Sequence, residues 1–141
     1  MQVFFQNETK DPGELFHRVE QACEGLVYIS EADAPVIAFA GPNVDAVTAD
    51  VIIQQSGLPA DSPAEERDFA EFFGRLTAIR DWYGEAETAR AKKFLELQKV
   101  LEEFLRELKV FKVGQRRLDI FAVGIDNDGR LMGVTTKAVE T

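Results

Sequence analysis

The residues best suited to chemistry are few, and their spacing works against most of what they could do. His17 and Cys23 are the chain's single histidine and single cysteine. Six residues apart on one helix, they sit about 240° around its axis from one another, so they cannot form a nucleophile–base pair within that helix. One His and one Cys also exclude the usual zinc sites, which draw four ligands mostly from those two residue types. Asp126-Asn127-Asp128-Gly129 has the flavour of a calcium loop. With Gly129 at the sixth position of such a loop, however, Gly124 stands where the first Asp belongs and Thr135 where the bidentate Glu belongs. The stretch is predicted to be a hairpin turn. Gly124, Gly129 and Gly133 fall in strand and turn contexts and form no phosphate-cradling loop. The expectation is a protein that is not an enzyme and that needs no cofactor.

Carboxylates are the one abundant chemical group, and together they suggest binding. The chain of 141 residues carries a net charge of −9. Residues 1–90 hold 6 Lys/Arg against 17 Asp/Glu, and residues 91–141 hold 10 against 8. An acidic lobe repels nucleic acid, whose binding requires Lys and Arg to neutralise phosphates. The same field speeds encounter with a basic protein. Glu31 and Asp33 stand out because they fall in a loop after the first short apolar run, where they can be held out to a partner. With Cys23 alone, no internal disulfide can form, which suits a reducing compartment. Met1 to Lys10 lacks the basic start and apolar run of a secretion signal. No apolar stretch approaches the roughly 20 residues needed to cross a bilayer. A cytoplasmic protein with no membrane partner, monomeric when free, is expected.

The elements that must hold these groups are legible in outline. The length suits one domain spanning residues 1–141, and 11 Phe residues demand a packed interior. Asp11-Pro12 caps and opens a helix on which Leu15, Phe16, Val19, Ala22 and Cys23 recur, closed by Gly25. Leu26 to Ile29 and Val36 to Phe39 are strand candidates, the second stopped by Gly41-Pro42. Thr48 caps a short helix that ends at Gly57. Residues 58–68 are predicted to be a surface loop, and Asp68 caps a helix carrying Phe69, Phe72, Phe73 and Leu76. Asp81 to Gly84 is a connection bearing Trp82 and Tyr83. The longest helix is predicted from Glu85 to Leu108, with an apolar stripe running through Leu101, Leu105 and Leu108. Val110 to Val113, a half-buried Leu118 to Val123, and a strand from Leu131 onward make a β-meander. The pattern is α+β, an antiparallel sheet with helices packed on it.

Several segments together resemble the nuclease A inhibitor family. They are Gly25-Leu26-Val27-Tyr28-Ile29-Ser30-Glu31, Asp81-Trp82-Tyr83, Lys109-Val110-Phe111-Lys112-Val113-Gly114, Leu118-Asp119-Ile120-Phe121-Ala122-Val123-Gly124 and Gly133-Val134-Thr135-Thr136-Lys137-Ala138-Val139-Glu140-Thr141. The likeness covers residues 13–141 and leaves 1–12 as a short N-terminal extension. It implies a three-layer α-β-α sandwich with a largely antiparallel central sheet and one long helix. It also implies an inhibitor that plugs the active site of a non-specific, metal-dependent DNA/RNA endonuclease. By the resemblance, Glu31 meets arginines that otherwise hold substrate phosphate, with Asp33 close by in the same loop. Thr141 reaches the nuclease's catalytic magnesium through its oxygens, and Trp82 is an aromatic contact. Arg80 occupies an interface position where the family commonly carries Gln, and Ala34 stands where it usually has an aromatic. Those two departures favour the alternative, a non-inhibitory interaction module on the same fold with another basic partner.

Overall fold

The computed structural model describes residues 12–140. Within them the order is α1 (Pro12–Cys23), β1 (Val27–Tyr28), β2 (Ala34–Pro35), β3 (Ile37–Asn43), α2 (Ala49–Ser56), β4 (Ala64–Arg67), α3 (Phe69–Thr77), α4 (Glu85–Phe104), β5 (Arg106–Gly114), β6 (Arg117–Ile125) and β7 (Arg130–Val139). The last three strands form the expected antiparallel meander. β3 adds to one side of it and β4 to the other, giving the order β3-β7-β6-β5-β4, while β1 and β2 make a separate small hairpin. All neighbouring pairs are antiparallel.

Side-chain alternation divides the strands between two cores, because successive residues of a strand point to opposite faces. Leu118, Ile120 and Ala122 of β6, with Met132, Val134 and Ala138 of β7, pack beneath α1, α3 and α4 through Leu15, Val19, Phe73, Phe94, Leu97 and Leu101. Phe121, Val123 and Ile125 of β6, with Phe111 and Val113 of β5, pack beneath α2 through Ile52 and Ile53. The result is helices on both faces of a mainly antiparallel sheet, the α+β architecture expected. The segment leading into α2 is tied down by Lys109, whose Nζ donates to the carbonyl of Val47 at 3.0 Å.

Local chemistry explains most element boundaries. Thr48 Oγ1 accepts from the Val51 amide, and Gly57, at φ 73°, closes α2 in the left-handed conformation. Asp68 caps α3 by accepting from the Glu71 amide at 3.0 Å. The turn between β6 and β7 is organised by Asp126, only 3% exposed. Its Oδ1 accepts from the amides of Asp128 at 2.8 Å and Arg130 at 2.9 Å. That carboxylate is consumed by its own turn, so the stretch is a hairpin as predicted.

Several features differ from the expectation. β3 runs through Gly41-Pro42 to Asn43, with a register shift between Ala40 and Asn43. Proline is tolerated there because β3 is an edge strand and the shift removes the need for a ladder donor. Residues 64–67 form a strand within the predicted loop; Ala-Glu-Glu-Arg has no apolar alternation and becomes β4 only by pairing with β5. The long helix ends at Phe104, and Leu105 is already extended, at φ −122° and ψ 147°. Leu105 therefore belongs to the passage into β5 and Leu108 to β5 itself, although both continue the helical spacing. β6 is covered on both faces where half-burial was expected, since α2 shields Phe121 and Val123. The Asp11 cap expected for α1 lies outside the described residues.

β7 runs tightly against β6 at Gly133. A Cβ there would lie 2.1 Å from the Ala122 carbonyl oxygen and 2.7 Å from Val123 Cα, both backbone atoms of the paired strand. Gly133→Ala is expected to destabilise the fold by at least about 1–3 kcal/mol, the range for forcing extra volume into a packed interior. A lowered urea midpoint with an unchanged slope checks this.

Candidate partner-binding site

The Glu31 loop is the tip of the β1–β2 hairpin, in which Val27 pairs with Pro35 and Tyr28 with Ala34. Ser30 builds its shape. The Ser30 hydroxyl donates to the Ala32 carbonyl at 3.0 Å and accepts from the Ala32 amide at 3.2 Å. Asp33 Oδ1 accepts from the Ser30 amide at 3.2 Å. Asp33 thus spends one carboxylate oxygen on closing the loop, whereas Glu31 at the tip is exposed.

This hairpin is strapped to the last described strand at three points. Thr136 Oγ1 donates to the Pro35 carbonyl at 2.9 Å. The Val139 amide donates to Ser30 Oγ at 3.1 Å. The Glu31 amide donates to the Val139 carbonyl at 3.3 Å. The acidic tip and the end of β7 are therefore hydrogen-bonded neighbours. Beyond Val139, the Glu140 amide donates to the Arg116 carbonyl at 2.9 Å. The Glu140 carboxylate meets Lys112 Nζ at 3.1 Å. Thr141, one residue further, lies outside the described residues.

Behind the hairpin, Tyr28 stacks on Phe72 of α3, with ring centroids 6.0 Å apart and planes within 5° of parallel. Burial raises the Tyr28 hydroxyl's pKa, nearby Glu140 raises it further, and Arg75 and Arg67 oppose the rise. α3 then leads into the turn that carries Arg80 and Trp82. The Tyr83 amide donates to the Arg80 carbonyl at 3.1 Å. Trp82 is 76% exposed. It meets Tyr83 edge-on at 4.7 Å. Arg80 is exposed as well. Phe94 and Leu97 of α4 line the same interior space as Ile120 and Thr136, while Leu105 abuts Gly124. Followed from Leu105 back through Phe94, α4 therefore heads toward the sheet end where β7 finishes. The Trp82 turn precedes it at that end.

Among the described residues no competing catalytic or metal-holding cluster assembles elsewhere. His17 is exposed and lies 3.7 Å from Glu20. Cys23 is buried, and that burial pushes its thiol up to about 12, with Glu20 adding to the rise and Lys93 opposing it. Among the described residues no group of three or more His, Cys, Asp and Glu is placed to hold a metal ion. Among the same residues no helix is long and apolar enough to cross a membrane.

A family model described as "Nuclease A inhibitor-like protein" matches residues 13–141. The chain belongs to the nuclease A inhibitor-like family. No individually curated protein matches it. Within this family frame, the sequence pointed to Glu31, Asp33, Arg80, Trp82 and Thr141, and the structure sets the first two in one loop and the next two in one turn. The residues that join that loop to β7 (Ser30, Thr136 and Val139) were not singled out. Their partners are distant in the chain, 109 residues for Ser30 and Val139. No local pattern signals such a contact.

Ser30→Ala is expected to lower stability by about 1 kcal/mol, the usual net worth of a hydrogen bond, while loosening the loop against β7. Faster amide exchange at Val139 and Ala32 checks it. Cys23 should resist alkylation in the native protein at mildly alkaline pH and react fully once unfolded. Its folded value of about 12 lies above the ordinary 9.0. Its contribution to stability is thus complete below the lower value and fades as pH rises toward the upper one. A pH series of urea midpoints, compared with Cys23→Ala, checks the sign.

Proposed function

We propose that this chain is a protein inhibitor, not an enzyme, that plugs the active site of a sugar-non-specific, metal-dependent nuclease. The observation that carries the reading is the hydrogen bond from the Glu31 amide to the Val139 carbonyl. It sets the acidic loop tip beside the strand that ends two residues before Thr141. Two extended residues span at most about 7 Å, so both groups can enter one cleft.

The chemistry follows from what such a cleft is built to receive. A nuclease stabilises phosphate charge with arginines and a divalent metal. The Glu31 carboxylate takes the place of a phosphate against the arginines, where charge-assisted, bidentate hydrogen bonds are strongest. Thr141 supplies hard oxygen donors of the kind magnesium prefers. Asp33 adds negative potential while holding the loop closed. Trp82 contributes a large, rigid apolar contact with a polar edge, the residue type most often central to interfaces. Arg80, beside it, puts a cation at an interface position where the family commonly carries Gln, which costs affinity for a basic cleft. The excess of acid over base in residues 1–90 steers the encounter.

Glu31→Ala is expected to weaken binding by about 2–5 kcal/mol, the scale for truncating one partner of a buried charge pair. Removing Thr141 should weaken inhibition while leaving the urea midpoint unchanged. Inhibition titrations against magnesium-dependent, non-specific nucleases make the measurement. Full nuclease activity in the presence of micromolar protein would sink the proposal.

A further inference from the structure

β3 is an edge of the five-stranded sheet, and beyond Val36 its outer side has no strand partner among the described residues. The direction of its peptide groups follows from two bonds. At the β6–β7 turn the Asp126 amide donates to the Arg130 carbonyl. Arg130 and every second residue after it, Val134 included, therefore turn their peptide groups toward β6. Gly133 and Thr135 turn theirs to Phe39 and Ile37, their register partners in β3. Ala38 and Ala40 are left with N–H and C=O pointing away from β7. The small hairpin agrees: Val36, in step with them, donates its amide to the Leu26 carbonyl at 3.0 Å, on the open side. One residue before Leu26, at Gly25 with φ 72°, the backbone departs from that line toward α1.

The sheet's other edge is guarded. β4 is four residues long and carries Glu65, Glu66 and Arg67, features that discourage a further strand. β3 has no charge from Ile37 to Ala40, and Ile37 is 54% exposed. Both faces beside this edge are hollow. On the α1 side a cleft of about 430 Å³ has Leu26, Val36 and Ala38 in its wall, with Glu20 and Glu24 and no Lys or Arg. On the α2 side a groove of about 440 Å³ is lined by Pro35, Ile37, Phe39 and Phe121. The cation on its rim, Lys137, is paired with Asp119 at 2.6 Å. A strand laid beside β3 sends successive side chains to opposite faces, one into each hollow. A second copy of the chain is a poor occupant. Each copy carries −9, and two rims of Glu20 and Glu24 would meet on one face of the joint.

We propose that the open edge of β3 binds an extended, basic protein segment as a sixth strand, bonded through the main chain to Ala38 and Ala40. Main-chain bonds of this kind supply affinity, and the hollows on either face select alternate side chains. The α1-side cleft, apolar in its wall and acidic at Glu20 and Glu24, suits Lys or Arg, whose stems cover apolar surface while the charged head stays in water. The surface lies on β3, apart from the Glu31 tip, and the inference does not rest on the inhibitor reading.

The test follows amide hydrogen exchange in the full-length protein, free and with a capped peptide, Lys-Val-Thr-Val-Thr-Lys, at millimolar concentration. In the free protein the Ala38 and Ala40 amides should exchange much faster than those of Ile37 and Phe39. The peptide should slow both alanines about tenfold, as about 90% occupancy requires. An analogue with Glu in place of both Lys should bind about fivefold more weakly, the scale of losing an exposed charge pair. Glu20→Gln with Glu24→Gln should erase that preference. Ala40→Pro removes an outward donor that β7 does not use, and Ile37→Lys puts a charge on the edge. Each should weaken peptide binding at least about tenfold, with urea midpoints confirming that both variants fold. Unchanged exchange at Ala38 and Ala40 in the presence of peptide overturns the inference. So does full-strength binding to Ile37→Lys, which puts the peptide elsewhere. Equal affinity for the Lys and Glu peptides overturns the basic character assigned to the partner. Protection already present in the free protein overturns the inference too. If it grows with protein concentration, the edge pairs with a second copy; if it disappears on removing residues 1–11, the chain's own start occupies it.

Discussion

The pairing of the β1–β2 hairpin tip with the end of β7 is the constraint on which the functional geometry depends. Neither piece is rigid alone. β1 and β2 are two residues each. An isolated hairpin of that size has no independent stability. It becomes a platform because Thr136, Val139 and Ser30 fasten it to an interior strand of a five-stranded sheet. Rigidity flows outward from the core to the loop, through polar contacts that run between elements far apart in sequence. Binding loops are usually mobile. Here the loop inherits the order of the sheet, which, in the inhibitor proposed above, reduces the entropy lost when it is fixed against a partner.

Charge follows the same plan. Carboxylates with structural work are turned inward or into their own backbone: Asp126 into its turn, Asp68 into the α3 cap, Asp33 into the loop, and Glu140 onto Lys112. Glu31, at the loop tip, lies outward. The differences are positional, because all are carboxylates, and composition alone does not reveal which of them hold a turn, a cap or a loop.

Legibility in the sequence tracked the range of the forces involved. Thr48, Gly57 and Asp68 were readable because capping is settled within four residues. The Asp126 turn was readable for the same reason. β4 was not, since Ala64 to Arg67 has no strand pattern and acquires its state from β5. Nor was the end of α4, because Leu105 and Leu108 keep the helical period after the backbone has left the helix. For the site, Glu31 came from its loop position as well as family likeness, and Trp82 and Thr141 from the likeness, whereas the fastening residues Ser30 and Thr136 are visible only once distant strands have been brought together.

The place of β7 in the sheet has a consequence for how the molecule comes into being. It is the last strand, yet it lies between β3 and β6, so Ile37 waits for Thr135 to be made before it finds its neighbour. A ribosome that has finished β6 has produced a β3 segment and a three-stranded piece with no common partner. Closing so long a chain segment is slow, since its entropy must be spent before the contacts reward it. The sheet and the platform that bears Glu31 are therefore completed by one late event, and a truncated nascent chain would display neither.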